Sequence, residues 1–179
     1  MKKQVNIYTD GACSGNQNEE NVGGWGAVLE YAGREKELCG GEVNTTNNRM
    51  ELTALVEALS ALREDGLKLN IFSDSSYLIN CFKNEWYVKW QANGWKNSKK
   101  DPVENRDLWE KLLELLSRHD KEFFLVKGHL SVPGESDYKR FTEHNGDRFS
   151  FAEFAKISEY NNRCDALANV FINEQKEKV

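Results

Sequence analysis

A short apolar strand that closes on an aspartate occurs twice in this chain, and the repetition narrows the folds open to it. Val5-Asn6-Ile7-Tyr8-Thr9 alternates apolar with polar residues, is rich in strand formers, and runs into Asp10-Gly11, a turn signal. Leu69-Asn70-Ile71-Phe72-Ser73 repeats the design and closes on Asp74. A single aspartate of this kind is an ordinary turn or capping residue. Two carboxylates held side by side repel one another, and a divalent metal is the commonest reason to keep them there.

The intervening residues bring the two strands together. Residues 13–24 are rich in Gly, Asn and Ser and read as loop, while 24–31 and 35–43 read as strands joined at Ala32-Gly33-Arg34. Thr45-Thr46-Asn47-Asn48 is a cluster of capping residues, and Leu52, Leu55, Val56, Leu59 and Leu62 then mark the buried face of a helix. Glu51 falls at the border of that stripe and Glu57 almost opposite its centre. Glu51 can point back toward the strand ends or simply complement the helix dipole in the first turn. The helix between the two aspartate-ending strands favours their parallel pairing, and ligands of open α/β sheets bind beyond the carboxyl ends of the strands. Asp10 and Asp74 are therefore expected side by side where a site belongs.

The second half carries a different signal. The net charge is −5, yet residues 83–100 hold five lysines (83, 89, 96, 99 and 100) and one acid, Glu85. Trp86, Trp90 and Trp95 are interleaved with them, which suits either a nucleic-acid backbone or an amphipathic helix with its tryptophans in the core. A helix over 104–119 and a last strand over 122–127 follow. His129 after Gly128 can be a mobile proton carrier or a plain surface residue. Residues 130–159 are charged but contain Phe141, Phe149, Phe151 and Phe154, so they pack on something, and Ser150-x-x-Glu153 starts a short helix over 151–160. A closing helix over 166–172 has Asp165 near its start.

Together these motifs resemble the type 1 ribonucleases H. Thr9-Asp10-Gly11 with Cys13, Gly15 and Asn16 is similar to the first family motif, Thr46-Asn47-Asn48-Arg49-Met50-Glu51 to the second, and Ser73-Asp74-Ser75 to the third. Lys127-Gly128-His129 and Asn162-Arg163-Cys164-Asp165 are similar to the last two. The resemblance implies an α/β ribonuclease H-like fold, with a mixed five-stranded sheet of order 3-2-1-4-5 flanked by helices. It implies that Asp10, Glu51, Asp74 and Asp165 hold two Mg²⁺ ions, with Mn²⁺ as a possible substitute, and that His129 assists proton transfer or product release. Cys13, Asn16, Asn47, Asn48 and Ser76 match residues that contact the minor groove, and Thr46 and Asn105 a pocket for a DNA-strand phosphate. Trp86, Lys89, Trp90, Trp95, Lys96, Lys99 and Lys100 match a basic protrusion that grips the DNA strand. The implied reaction is endonucleolytic cleavage of the RNA strand of RNA–DNA hybrids, leaving 5′-phosphate and 3′-hydroxyl ends.

The chain departs from the family in its long loop before the C-terminal helix. Residues 130–159 read either as a peripheral, packed insertion or as an element that repositions His129 or touches the hybrid. The 179 residues are expected to form a single catalytic domain. No apolar run is long enough to cross a bilayer, and four scattered cysteines without a C-x-x-C pair suggest neither zinc nor disulfides. A monomeric cytoplasmic enzyme with no obligate protein partner is the expectation. A catalytically silent binding module or a junction-resolving nuclease on the same fold are the rivals.

Overall fold

The computed structural model describes residues 2–15 and 20–178. Five strands form one sheet: β1 (Gln4–Ser14), β2 (Val22–Tyr31), β3 (Arg34–Val43), β4 (Lys68–Ser73) and β5 (Asp120–Leu125), in the order β3-β2-β1-β4-β5. The β1–β2 and β2–β3 pairs are antiparallel, and β1–β4 and β4–β5 are parallel, as expected. Ala32 and Gly33 join β2 to β3 with φ of 49° and 82°, the left-handed pair that a two-residue hairpin requires.

One sequence signal is corrected here. Asp10-Gly11 is not a turn, because β1 continues through it to Ser14, and Cys13 is a strand residue. Thr9 and Ser73 are the last parallel partners, so Asp10 and Asp74 each lie one residue past the end of that pairing. Gly11 serves close packing: a Cβ there would stand 2.5 Å from the backbone nitrogen of Glu51.

The strand alternation builds two cores on opposite faces of the sheet. Ile7 and Ile71 point to one face, where they meet Leu52, Leu55 and Leu59 of α1 (Asn47–Ser60), Leu78 of α2 (Ser76–Lys83), and Trp109 and Leu112 of α4 (Arg106–Leu116). Tyr8, Phe72 and Phe124 point to the other face. They are register partners across β1, β4 and β5, and their rings stack at 4.9 and 5.0 Å. Tyr160 extends the stack at 4.3 Å from Tyr8.

The expected two short helices over 151–160 and 166–172 are also corrected, because they are one. Residues 130–159 contain a further helix, α5 (Glu135–Asn145), and the first turns of α6 (Phe151–Glu177), one unbroken helix of 27 residues. The Ser150/Glu153 capping box starts α6, with Glu153 N donating to Ser150 Oγ at 3.1 Å and Ser150 N to Glu153 Oε1 at 2.9 Å. Asn161-Asn162 resembles a helix break, but the Asn162 side chain is engaged and neither Gly nor Pro follows. Asp165 therefore sits in the interior of α6. Phe141, Phe149, Phe154 and Ile157 are buried over the aromatic stack, so the segment is packed and roofs the second core. Depth in the helix–sheet packing is set by Gly26, where a Cβ would come within 2.5 Å of the Cys164 carbonyl of α6. Among the described residues, no helix is long and apolar enough to cross a membrane.

An unpacked insertion would tolerate truncation of its aromatics. We expect Phe154→Ala, at a side chain 1% exposed, to lower the unfolding free energy by about 3–5 kcal/mol in a denaturant titration. A change below about 1 kcal/mol would contradict that packing.

Candidate active site

Three carboxylates arrive from three elements. Asp10 lies on β1 beside Gly26 of β2. Asp74 follows β4 directly and precedes Ser75, whose hydroxyl caps α2 by accepting from Leu78 N at 3.1 Å. Glu51 lies on α1, whose cap is Thr46, its hydroxyl accepting from Arg49 N at 3.1 Å. Because α1 begins at Asn47, Glu51 is one turn inside it and faces Gly11; the first turn holds no acid. The dipole explanation for Glu51 therefore fails. Asp10 and Glu51 are only 4% and 6% exposed, and one ligating oxygen from each of the three residues falls within 4.8 Å of the others.

Burial and mutual repulsion both oppose ionisation there. Burial, then the Asp74 charge, push the Asp10 carboxyl up to about 8. Burial pushes Glu51 well above the usual carboxylate range, and it raises Asp74 as well. Glu51 Oε2 is buried without any hydrogen-bond partner. An orphaned buried oxygen beside two further carboxylates is costly unless a cation balances it. All the donors are hard oxygens, so the trio fits a hard divalent ion better than a thiophilic one.

Asp165 and His129 complete the rim. Asp165 is about one-third exposed, and His129 Nδ1 lies 3.9 Å from its Oδ2 on a largely solvent-exposed ring. Asp165 is outside the 4.8 Å trio but lines the same open cleft of about 490 Å³, as do Cys13, Asn47, Asn48 and Ser76. Asn16 lies outside the described residues. Two contributors escaped sequence reading. Asn161, buried one turn before Asp165, lies beside Asp74 and favours its charged form, against the effect of burial. The i, i+4 spacing to Asp165 carries that signal only once 161–165 is read as helix. Arg49 donates to Asn105 Oδ1 at 3.2 Å, to Asp107 at 2.9 Å and to Glu42 at 3.1 Å, and so ties α1 to the start of α4. Thr46 and Asn105 are thus linked through the residue between them in the motif.

A model of the ribonuclease H family matches residues 2–172 of the chain. The chain belongs to the ribonuclease H family. It is 45% identical over 170 residues to the ribonuclease H of Moorella thermoacetica, covering 95% of this chain and 92% of that one. It is also 45% identical over 175 residues to that of Chlorobium phaeovibrioides, covering 98% and 99%. Among solved structures, the chain is similar to LC9-RNase H1, a type 1 RNase H with the type 2 active-site motif. That similarity has a TM-score of 0.64 and 29% identity over 80% of this chain and 70% of that one. LC11-RNase H1, solved in complex with an RNA/DNA hybrid, shares the fold at a TM-score of 0.53 and 17% identity, covering 96% and 98%. The protein is therefore a ribonuclease, with the ribonuclease H sheet order.

In this ribonuclease the tryptophan and lysine segment divides its labour. Helix α3 (Trp86–Ala92) has no buried residue. Trp90 and Trp95 pack against the first core, with the Trp90 ring 5.3 Å from that of Trp109 and the Arg106 guanidinium 5.5 Å from the Trp95 ring. Trp86, Lys89, Lys96, Lys99 and Lys100 are exposed, and among the described residues none of these lysines forms an ion pair. The core reading of the segment thus holds for Trp90 and Trp95 and not for Trp86.

The raised carboxyl pKa has a sign that can be measured. A folded-state pKa of about 8 for Asp10, against 3.8 for a solvent-exposed aspartate, means the folded metal-free protein holds a proton that the unfolded chain has released. Its contribution to stability is present below pH 4 and is lost as pH rises through 8. We expect thermal unfolding in a chelator to show Asp10→Asn gaining stability over wild type as pH rises from 5 to 8. A divalent cation should stabilise wild type by mass action and narrow that gap. A pH-independent difference between the two proteins would contradict the burial argument.

Proposed function

We propose that this ribonuclease hydrolyses phosphodiester bonds of the RNA strand in RNA–DNA hybrids, leaving 5′-phosphate and 3′-hydroxyl ends. The observation that carries the reading is the trio of buried carboxylates with its unpartnered Glu51 oxygen at the foot of an open, polar cleft. Asp10, Glu51, Asp74 and Asp165 are the residues that would hold two Mg²⁺ ions, for which Mn²⁺ is a substitute. When bound, such ions supply an activated water and neutralise charge on the leaving oxygen. The chain provides the rigid frame. Asp10 and Asp74 are fixed by adjacent strands and Glu51 by α1 against Gly11, and Asn161 lies beside Asp74.

His129 is exposed beside Asp165, at φ 62° and next to Gly128, which suits an imidazole that takes a proton in the cleft and releases it to solvent. Cys13, Asn16, Asn47, Asn48 and Ser76 are assigned to the minor groove, where 2′-hydroxyls distinguish RNA from DNA. Thr46 and Asn105 are assigned to a DNA-strand phosphate. Arg49 occupies the Asn105 carbonyl, which turns the amide nitrogen into the free group, a donor suited to a phosphate oxygen. Trp86, Lys89, Lys96, Lys99 and Lys100 are assigned to the DNA backbone, with Trp90 and Trp95 anchoring the element that presents them. We assign these roles to a single catalytic domain acting as a monomer. The four free cysteines are in keeping with a cytoplasmic setting.

The test is cleavage of an end-labelled RNA–DNA duplex in Mg²⁺, with the RNA and DNA duplexes of the same sequence as controls. We expect the hybrid alone to be cut, in its RNA strand. Asp10→Asn should lose more than the roughly 10- to 100-fold that outer-shell substitutions cost a metal site. An intact hybrid, or an equally active Asp10→Asn protein, would overturn the proposal.

A further inference from the structure

A second cleft opens from the same carboxylates. It encloses about 340 Å³, shares Asp74 and Ser76 with the active-site cleft, and runs between α2 and α5 over Val126 and Gly128. Its wall on the α5 side is formed by Asp137, Arg140, Phe141 and His144. Their spacing of i, i+3, i+4 and i+7 puts them on one helix face. Phe141 is buried in the second core and fixes the rotation of α5. Lys83 of α2 ties that helix to α5, its Nζ donating to the His144 carbonyl at 3.3 Å. A groove that begins at one carboxylate of the trio and carries Lys127 and Arg140 in its wall can continue the path of a polyanion.

The charges inside it are not equivalent. Asp137 is the one acid that α5 contributes to the wall, and it is occupied twice: its Oδ2 accepts from Gly134 N at 3.0 Å and its Oδ1 stands 3.8 Å from Lys127 Nζ. Arg140 is exposed and, among the described residues, forms no ion pair. A guanidinium held on a packed helix, without a carboxylate partner, is suited to bidentate recognition of a phosphate.

We propose that α5 extends the substrate channel, and that Arg140, supported by Lys127, binds a backbone phosphate of the cleaved strand beside the scissile one. The assignment to the cleaved strand follows from continuity: the groove starts at Asp74, where that strand must lie. Arg140 is a positioning residue here, acting on a neighbouring phosphate and not on the reacting atoms. This inference rests on the hybrid-cleaving reading above.

The test compares wild type with Arg140→Ala and Arg140→Lys, using a labelled hybrid and its binding at several salt concentrations in Ca²⁺, with steady-state cleavage in Mg²⁺. Arg140→Ala should weaken binding about fivefold, lower the slope of log K against log salt by about one, and raise KM more than it lowers kcat. Arg140→Lys should restore the slope. Hybrids with one neutral methylphosphonate in the RNA strand then locate the contact. At one position near the cleavage site the neutral linkage should weaken wild type but leave Arg140→Ala unaffected. Equal losses for both proteins at every RNA-strand position, or an unchanged salt slope, would overturn the inference. If wild type fails to cut the hybrid at all, the fault lies with the functional reading and not with Arg140.

Discussion

Three carboxyl groups held within 4.8 Å of one another, two of them almost fully buried, are the costliest arrangement in this molecule. Each would gain by swinging into water, so the backbone must deny all three that escape. The denial is distributed. Parallel pairing up to Thr9 and Ser73 fixes the spacing of the two aspartates, and the missing side chain at Gly11 lets α1 press Glu51 against them. The aromatic stack on one face and the leucine core on the other then hold the sheet from both sides.

The parts of the fold that follow from local chemistry were legible in the sequence. The hairpin at Ala32-Gly33, the capping cluster ahead of α1 and the placement of Asp10 beside Asp74 follow from alternation, capping residues and short connections, whereas the full sheet order came from the family resemblance. What misled were signals whose meaning depends on a distant partner. Gly11 reads as a turn until α1 is seen to require the space above it. Asn161-Asn162 reads as a break until the Leu130 carbonyl and Asp74 are seen beside those side chains. Glu135–Asn145 gave no helical reading because it presents few apolar residues and only Phe141 is buried.

The same dependence explains the candidate site. The four acids stand out one by one because each sits near a recognisable element end or motif, and the structure brings Asp10, Glu51 and Asp74 together with Asp165 at the rim. Arg49 and Asn161 were invisible as contributors, since their roles consist of orienting other side chains. The tryptophans could not be divided between core and surface from spacing alone. Only the ring of Trp109 beneath Trp90 separates the anchor from the exposed face.

Gly26 ties these layers into one device. It sits opposite Asp10 in the sheet and beneath the Cys164 carbonyl in α6, one residue before Asp165 and one turn after Asn161. The depth of a helix on a sheet is usually a matter of packing alone. Here it also sets the height of a carboxylate above the trio and the reach of an amide to Asp74. Because α6 is unbroken from the roof of the aromatic core to the rim of the cleft, it behaves as a stiff beam. The residues that roof the aromatic core and the residues at the rim of the cleft therefore share one rigid element. A substitution that repacks the Phe154 end of α6 acts on the same helix that carries Asn161 and Asp165, so the packing of the second core and the placing of those two side chains have one support.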